Sequence, residues 1–357
     1  MAIIFEEHAK LEWRAPAIDG RVCRLWRQIA LNAPRAWTYL EISHEKPPTT
    51  SMLLSWLDRS RTALLHITVD MDFPLSDDIN TRTLYELLRD YHTRIASLRM
   101  YEGILSFFER LDFPCMRLLE VVRVVRRRYS PPSVLLGHMP KLRSLRMGHA
   151  NPWVTPLESL APLKVLVLYY HICTSRSLLR HSTSLVTLML HSVTFQDTIL
   201  GSINFPSLTY LSLNTVSGLK PHINAPSLVT FHEAADTHET FSSPVPSLME
   251  YGLRAPYSHP HPTTWHSSFP NILRLSIRAG PLILIPLLET LSIQPHILPA
   301  LQMISAGFAG RRGAKFSEKE QEAMESSVRL RSERCHLDVA LYFEPSHIPL
   351  FFGNVSH

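Results

Sequence analysis

The sequence predicts an α/β solenoid in which short parallel strands stack side by side, and three observations predict it. An eight-residue phrase recurs through the middle of the chain: proline, any residue, an aliphatic, two variable residues, an apolar residue, one variable residue and an apolar residue. Successive copies begin at near-constant spacing. Punctuation relies on 27 prolines against only 12 glycines, and proline, which fixes φ and donates no backbone hydrogen bond, sits best at strand starts and turns.

The clearest copies are Pro140/Leu142/Leu145/Met147, Pro206/Leu208/Leu211/Leu213, Pro246/Leu248/Tyr251/Leu253, Pro270/Ile272/Leu275/Ile277 and Pro286/Leu288/Leu291/Ile293. Leu163/Leu166/Leu168 and Leu185/Leu188/Leu190 keep the aliphatic spacing, Met116/Leu119/Val121 follows Pro114, and Ile95/Leu98/Met100 follows a polar segment. The copy at Leu228 and Phe231 loses its last apolar position to Glu233. The ten first aliphatics, from 95 to 288, are separated by 21, 26, 21, 22, 23, 20, 20, 24 and 16 residues. Most steps lie in the ~20 to 29 residue range of leucine-rich repeats. Such a strand points alternate side chains inward and buries them only against stacked neighbours. The expected fold is therefore an irregular leucine-rich-repeat solenoid over residues 93–300, with parallel strands on its concave face. The Asn or Cys expected eight residues after each first aliphatic is absent: Gly103, Val124, Ala150, His171, Val193, Val216, Asp236, Pro256, Gly280 and His296 stand there. Each convex turn must satisfy its own backbone, and convex helices must be short, with Ser175–His181 supplying a turn or two.

At the amino terminus, Val22, Leu25, Trp26, Ile29 and Ala30 recur at helical spacing and predict an amphipathic helix that ends before Pro34. Trp37 begins the next element. The stretch Val22-Cys23-Arg24-Leu25-Trp26-Arg27-Gln28-Ile29-Ala30, followed by Pro34-Arg35-Ala36-Trp37, resembles the carboxy-terminal half of an F-box of the kind found in F-box/leucine-rich-repeat proteins of mushroom-forming fungi. Leu53, Leu54, Trp56, Leu57, Arg59 and Ser60 match the helix that follows in that family, and Ile3 to His8 look like the tail of the F-box's first helix. The Leu-Pro opening of an F-box is absent, so the resemblance implies a truncated F-box over residues 1–48. It implies further that Val22, Cys23, Trp26, Ile29 and Pro34 sit at or behind a surface that docks a Skp-type adaptor of a cullin-RING ligase. Packing of the same apolar face onto the first repeat is the alternative use of this helix.

Residues 49–92 form a helical and strand connector into the array, and residues 301–357 a linker, a charged helix and a capping strand. Ser317 and Glu320 have capping-box spacing ahead of a charged segment through about Glu333 that predicts a mostly exposed helix. His336 to Phe343 then alternates as a strand, and together these elements cap the open end of the array.

Hydrophobic residues make up 45% and charged residues 19% of the 357, which suits a folded chain rather than a disordered one. The net charge of +5 is spread out, so a nucleic-acid footprint is not expected. Cys23, Cys115, Cys173 and Cys335 lie far apart, without the paired spacings of zinc sites. Glu6 and Glu7 break any signal-peptide pattern, and the apolar run Pro281–Leu288 is well short of the ~20 residues that span a membrane. The expected setting is intracellular, cytoplasmic or nuclear, away from membranes.

No phosphate loop, nucleophile elbow or kinase signature occurs, so the chain is expected not to be an enzyme and to need no cofactor or metal. His259, His261 and His266 lie in a proline-fixed loop without a Cys or carboxylate at ligand spacing, and His232/Glu233 and His238/Glu239 lack zinc-protease spacing. Arg123, Arg126, Arg127 and Arg128, and the shorter Arg311, Arg312 and Lys315, read as solvated surface, with phosphate or acidic-peptide contact as the lesser reading for the first group. In each strand the third, fifth and seventh residues of the repeat, counted from its first aliphatic, face the concave side. These comprise Tyr169, His191, Tyr210, Asn214, His232, Glu250, Arg254, Arg274, Arg278, Thr290 and Gln294, with a more apolar group at Arg146, Val165, Val167, Thr187 and Met189. The expected function is a non-catalytic substrate receptor of an SCF-type ubiquitin ligase, with an unidentified protein target on the concave face. The alternatives are a scaffold without adaptor affinity and, last, a phosphate or nucleic-acid binder.

Overall fold

A computed structural model describes residues 1–43, 48–70, 86, 88–101, 110–122, 138–148, 160–199, 201–216, 218–234, 241, 243–255, 269–294, 296–308, 315–335 and 339–343. They divide into two compact units, Met1–His171 and Ile172–His357. Among the described residues, six strands of the first unit and seven of the second run parallel to their neighbours within each unit. None of the described helices is long and apolar enough to cross a membrane.

The first unit opens with α1 (Ala2–Leu11), which buries Phe5 and Ala9, one turn apart on one face. The short α2 (Ala15–Asp19) starts around Pro16, whose missing N–H costs nothing in a first turn. Then α3 (Arg24–Leu31) begins after Cys23, whose Sγ accepts the Trp26 N–H at 3.4 Å. A 3-10 turn, Pro34–Trp37, follows. Trp37 is fully buried and its Nε1 donates to the Ala30 carbonyl at 2.7 Å, which fastens the turn beneath α3. Thr49 caps α4 (Thr50–Arg59) by accepting the Met52 N–H. Trp56 on α4 stands edge-on to Trp37 at 4.7 Å and to Trp13 at 5.5 Å, so an aromatic cluster joins α4 to the 3-10 turn and to the segment between α1 and α2.

Six strands of this unit run parallel in chain order: β1 (Tyr39–Ser43), β2 (Leu65–Asp70), β3 (Ile95–Tyr101), β4 (Leu118–Val122), β5 (Ser144–Gly148) and β6 (Val165–Tyr169). β1 and β2 carry the sheet beyond the expected start at residue 93. They lack the proline-led phrase, yet Leu40/Ile42 and Leu65/Ile67/Val69 alternate and are buried. Arg94 ties the helical part to β3, donating to Ser60 Oγ at 2.7 Å and to the Ala63 carbonyl at 2.8 Å.

In the second unit seven strands continue the pattern: β8 (Thr187–His191), β11 (Tyr210–Asn214), β13 (Thr230–Ala234), β14 (Glu250–Ala255), β15 (Arg274–Ala279), β16 (Met303–Phe308) and β17 (Ala340–Phe343). Two-residue parallel pairs, β7 (Ile172–Cys173) with β9 (Thr194–Phe195) and β10 (Ile203–Asn204) with β12 (Ile223–Asn224), lie outside that sheet. The expected helix is present as α5 (Ser175–His181). Leu208, Leu211, Leu228, Phe231, Leu248 and Leu275 are buried at the first and fourth positions counted from the first aliphatic, each contributing ~1.5–3 kcal/mol on leaving water. Before several strands the preceding residue accepts two hydrogen bonds from the next repeat: the Thr209 carbonyl takes the N–H groups of Val229 and Thr230, and the Val229 carbonyl takes those of Met249 and Glu250. The same pairing holds at Arg117 and Arg143 in the first unit.

The tenth copy of the phrase is corrected by the structure. Pro286–Ile293 belongs to a helix, α6 (Pro281–Ile293), so Thr290 and Gln294 are not on a sheet face. The run is continuously apolar, and its period is ambiguous until length decides. Gly280 precedes it, Pro281 starts it, and Ile283, Leu284, Leu287, Leu288 and Leu291 form a helical buried stripe. The strand that pairs with β15 is instead β16.

Where an asparagine ladder was not expected, His171, Val193 and Val216 are buried. The residues before them, Tyr170, Ser192 and Thr215, adopt φ of 51°, 52° and 55°. Strands in this array thus end repeatedly on a left-handed residue that is not glycine, at a cost of ~1–2 kcal/mol each. Gly103, Val124, Ala150, Asp236 and Pro256 lie outside the described residues.

The charged helix is α7 (Glu318–Cys335). Its capping box is formed: Ser317 Oγ accepts the Glu320 N–H at 3.4 Å while the Glu320 carboxylate accepts the Ser317 N–H at 2.7 Å. β17 follows it and pairs with β16.

Candidate functional site

Two surfaces gather the residues singled out in the sequence. The first is built by α1, α2 and α3. Val22 and Cys23 are exposed, Val22 at 63%, and Leu25 is exposed at 59%. Trp26 is half-buried because its ring stands edge-on to Phe5 at 5.4 Å, which pins α3 against α1. Ile29 and Pro34 are half-buried, and Ala30 is the one residue of α3 that is fully buried. The apolar face of α3 is therefore not consumed by packing onto the first repeat. Ile4 and Leu11, two turns apart on α1, and Ile18 on α2 are exposed as well, at 62%, 88% and 51%. Leu11, Ile18 and Leu25 carried no weight in the sequence reading of the surface, although Leu25 belongs to the same helical stripe as Val22 and Trp26.

The helix ends behind this surface are tied down by polar contacts. His8 Nδ1 lies 3.1 Å from the Asp19 carboxylate, joining α1 to α2. Arg27 Nε donates to the Gly20 carbonyl at 3.0 Å, joining α3 to the end of α2. A shallow cleft of about 580 Å³ opens beside Pro34, with Glu6, Arg35 and Arg61 at its margin.

The second surface is the sheet face opposite the core in the second unit. Register brings its candidates together: His191 stands beside Asn214, Glu250 beside Arg274, and Arg254 beside Arg278. Asn214 and the His191 Nδ1 are hydrogen-bonded, and the Tyr210 and His232 rings lie 5.5 Å apart. Asn214 and His232 are buried, so they shape this face rather than project from it. His232 lies over Gly252, where an added Cβ would meet the ring at 3.0 Å. Arg254 and Arg274 are exposed, and Arg278, Glu250, Tyr210 and His191 half-buried.

Tyr169 belongs to the first unit, half-buried on β6 beside Gly148. Burial raises its phenol, the Glu120 carboxylate adds to that, and Arg146 opposes it. The same sheet face of that unit carries Arg99 and Glu120 in register, with Nε 3.7 Å from Oε1. At its other edge His66 stacks on Tyr39 at 4.9 Å, and burial, then Arg117 and Lys10, lower the imidazole pKa.

His259, His261, His266, His238, Glu239, Arg123, Arg126, Arg127, Arg128, Arg311 and Arg312 lie outside the described residues, and Lys315 is exposed. Among the described residues, no three His, Cys, Asp or Glu side chains gather in a way that could hold a metal ion. No family model, no curated protein and no solved structure matches the chain.

Proposed function

We propose that this chain is a non-catalytic substrate receptor of a cullin-RING, SCF-type ubiquitin ligase, built as an F-box-like helical segment followed by an irregular leucine-rich-repeat solenoid. In this reading α1–α3 dock a Skp-type adaptor, and the concave sheet face holds a protein target. The observation that carries the reading is the exposure of Val22, Leu25, Ile4, Leu11 and Ile18 on three helices whose inner sides are already packed. Exposed apolar side chains grouped within one small set of helices are the kind of surface that marks an interaction site. The repeat assignment is supported by register: Tyr210, Thr230 and Glu250 are successive partners across three parallel strands at 20-residue intervals.

The test is co-purification of a Skp-type adaptor with the full chain, compared with Val22→Glu/Leu25→Glu. Both side chains are exposed, so the double variant keeps its fold and should lose the adaptor. Deleting residues 1–48 is a poor substitute, because it also removes β1 and the buried Trp37. Failure of the intact chain to retain any adaptor refutes the role.

A further inference from the structure

We infer that the sheet face of the first unit binds an acidic side chain of a protein target through Arg146 on β5. The inference rests on reading the sheet face as the target-binding surface, and it names the chemistry of one contact there; it does not depend on adaptor docking.

Register assembles the charges. One row crosses the face as Glu41, Thr68, Arg99, Glu120, Arg146 and Val167, each beside the next on adjacent parallel strands, about 4.8 Å apart. Glu120 therefore stands between two arginines, and it is committed to one of them: Arg99 Nε lies 3.7 Å from Glu120 Oε1. Arg146 forms no ion pair and no hydrogen bond among the described residues. Glu41, the other acid of the row, lies at its far end on β1. Arg99, Glu120 and Arg146 together thus carry one positive charge in excess, and it resides on Arg146.

The setting of that charge distinguishes it from an ordinary surface arginine. Arg146 is half-buried, and its Nε is enclosed without an acceptor. Ser144, two residues earlier on the same face, is 6% exposed, and its hydroxyl is enclosed without a partner as well. A buried donor without an acceptor costs ~1–3 kcal/mol, and more when it is charged, so nearly all such groups in folded chains are answered. Two of them on one strand face mark a place where the acceptor is supplied from outside.

A carboxylate suits the place better than a phosphate. It matches a single excess charge, and its two oxygens fit the planar guanidinium fork with parallel hydrogen bonds. A phosphate, with close to two negative charges, would meet Glu120 beside the same arginine. The surroundings are aliphatic: Leu118 and Val165 flank Ser144 in register on β4 and β6, and both are half-buried. The bound acidic residue should therefore have an aliphatic neighbour in its own chain.

The experiment selects displayed random peptides on the full-length chain at 0.15 M salt and measures the enriched peptides by fluorescence anisotropy. Peptides with Asp or Glu next to Leu, Ile or Val should be enriched. Arg146→Gln should weaken their binding at least tenfold, whereas Glu120→Gln, which releases both arginines, should tighten it at least threefold. Arg180→Gln, which removes the same charge from an exposed position on α5, should leave binding within twofold. Because Arg146 makes no bond in the free chain, Arg146→Gln should leave the urea midpoint unchanged or raise it. Enrichment only of peptides without an acid, or of none, overturns the inference, as does an equal loss in the Arg180 control. A lowered urea midpoint in Arg146→Gln overturns it too, since the fold itself would then be using the guanidinium. Tighter binding when phosphoserine replaces the acid would overturn the assignment to a carboxylate. Adaptor retention should be unchanged in all these variants, so failure here and failure of the receptor role are read separately.

Discussion

Lys220 Nζ lies 2.6 Å from Glu233 Oε2 in the interior of the second unit, where both side chains are about nine-tenths buried. The other carboxylate oxygen of Glu233 accepts a hydrogen bond from the Tyr251 hydroxyl, and the ammonium lies 5.3 Å and 5.5 Å from the Phe231 and Phe241 ring centroids. Glu233 occupies the position where other repeats place an aliphatic, so a charge has been admitted to the core and answered on every side. Removing one partner leaves the other buried without its counter-charge, at ~3–5 kcal/mol. Lys220→Met and Glu233→Leu should each lower the unfolding free energy by that amount, read as a fall in the urea midpoint at unchanged slope. The triple variant Lys220→Met/Glu233→Leu/Tyr251→Phe restores an apolar phrase with no orphaned hydroxyl, and should recover most of the loss or exceed the parent stability. Additive losses across the three substitutions would show that the network is not a unit.

The Tyr251 phenol gives the same network a pH signature. Burial chiefly, then the Glu233 charge and the hydrogen bond to it, hold its pKa well above 10.0. The unfolded chain ionises this phenol near pH 10, so above that pH the unfolded state binds fewer protons than the folded one. Stability from this group is fully present below pH 10 and declines above it, by up to about 1.4 kcal/mol per pH unit. Tyr251→Phe should flatten that part of the stability profile. In the parent, one phenol's absorbance change should appear only with alkaline unfolding.

Legibility followed the strength of the periodic signal. Nine of the ten copies of the phrase give strands because Leu208/Leu211/Leu213 and their equivalents alternate unambiguously. The tenth failed where Leu282 to Leu288 are apolar at nearly every position, so a period of 2 and one of 3.6 fit equally well. β1 and β2 fall outside the phrase for the opposite reason: Tyr39–Ser43 and Leu65–Asp70 alternate well, but Trp37 and Thr62 stand where the phrase has its first aliphatic. Helix α7 read as mostly exposed because its buried stripe is Met324, Ser327, Val328 and Arg331, half of it polar by composition. For the sites, the template placed the candidates of the second unit on one sheet face, but it could not tell projecting Arg254 from buried His232. That difference depends on the neighbour across the ladder, here Gly252.

The cysteines should separate sharply in reactivity. Cys23 is exposed at the start of α3, whereas Cys173 is buried in β7, where desolvation and then the Asp197 carboxylate push its thiol up to about 12. Only the thiolate is nucleophilic. Iodoacetamide at pH 8 should therefore modify Cys23 in the folded chain and reach Cys173 only in denaturant, as read by peptide mass spectrometry. Because Cys23 lies between Val22 and Leu25 on the proposed docking helix, its alkylation should also reduce adaptor retention. Rapid labelling of Cys173 in the native chain would show that the strand pair β7–β9 opens.

Arg331 shows how the carboxy-terminal helix is fixed to the repeats. It is 1% exposed on α7, and its guanidinium donates to the carbonyls of Leu291, Ile297 and Leu298, the last two at 2.8 Å and 2.6 Å. These carbonyls close α6 and the turn after it, where the helix dipole presents its negative end. Burial lowers the Arg331 pKa, with Cys335 opposing, but a guanidinium remains charged at neutral pH. Arg331→Met should cost ~3–5 kcal/mol by leaving a set of buried carbonyls without a donor. Arg331→Lys separates charge from shape, since a single ammonium on a flexible stem cannot reproduce a planar fork serving three acceptors. It should recover less than half of the loss, seen as an intermediate urea midpoint with an unchanged slope. Full rescue by lysine would mean that charge at the end of α6 suffices, and that the fork geometry contributes nothing to holding α7 in place.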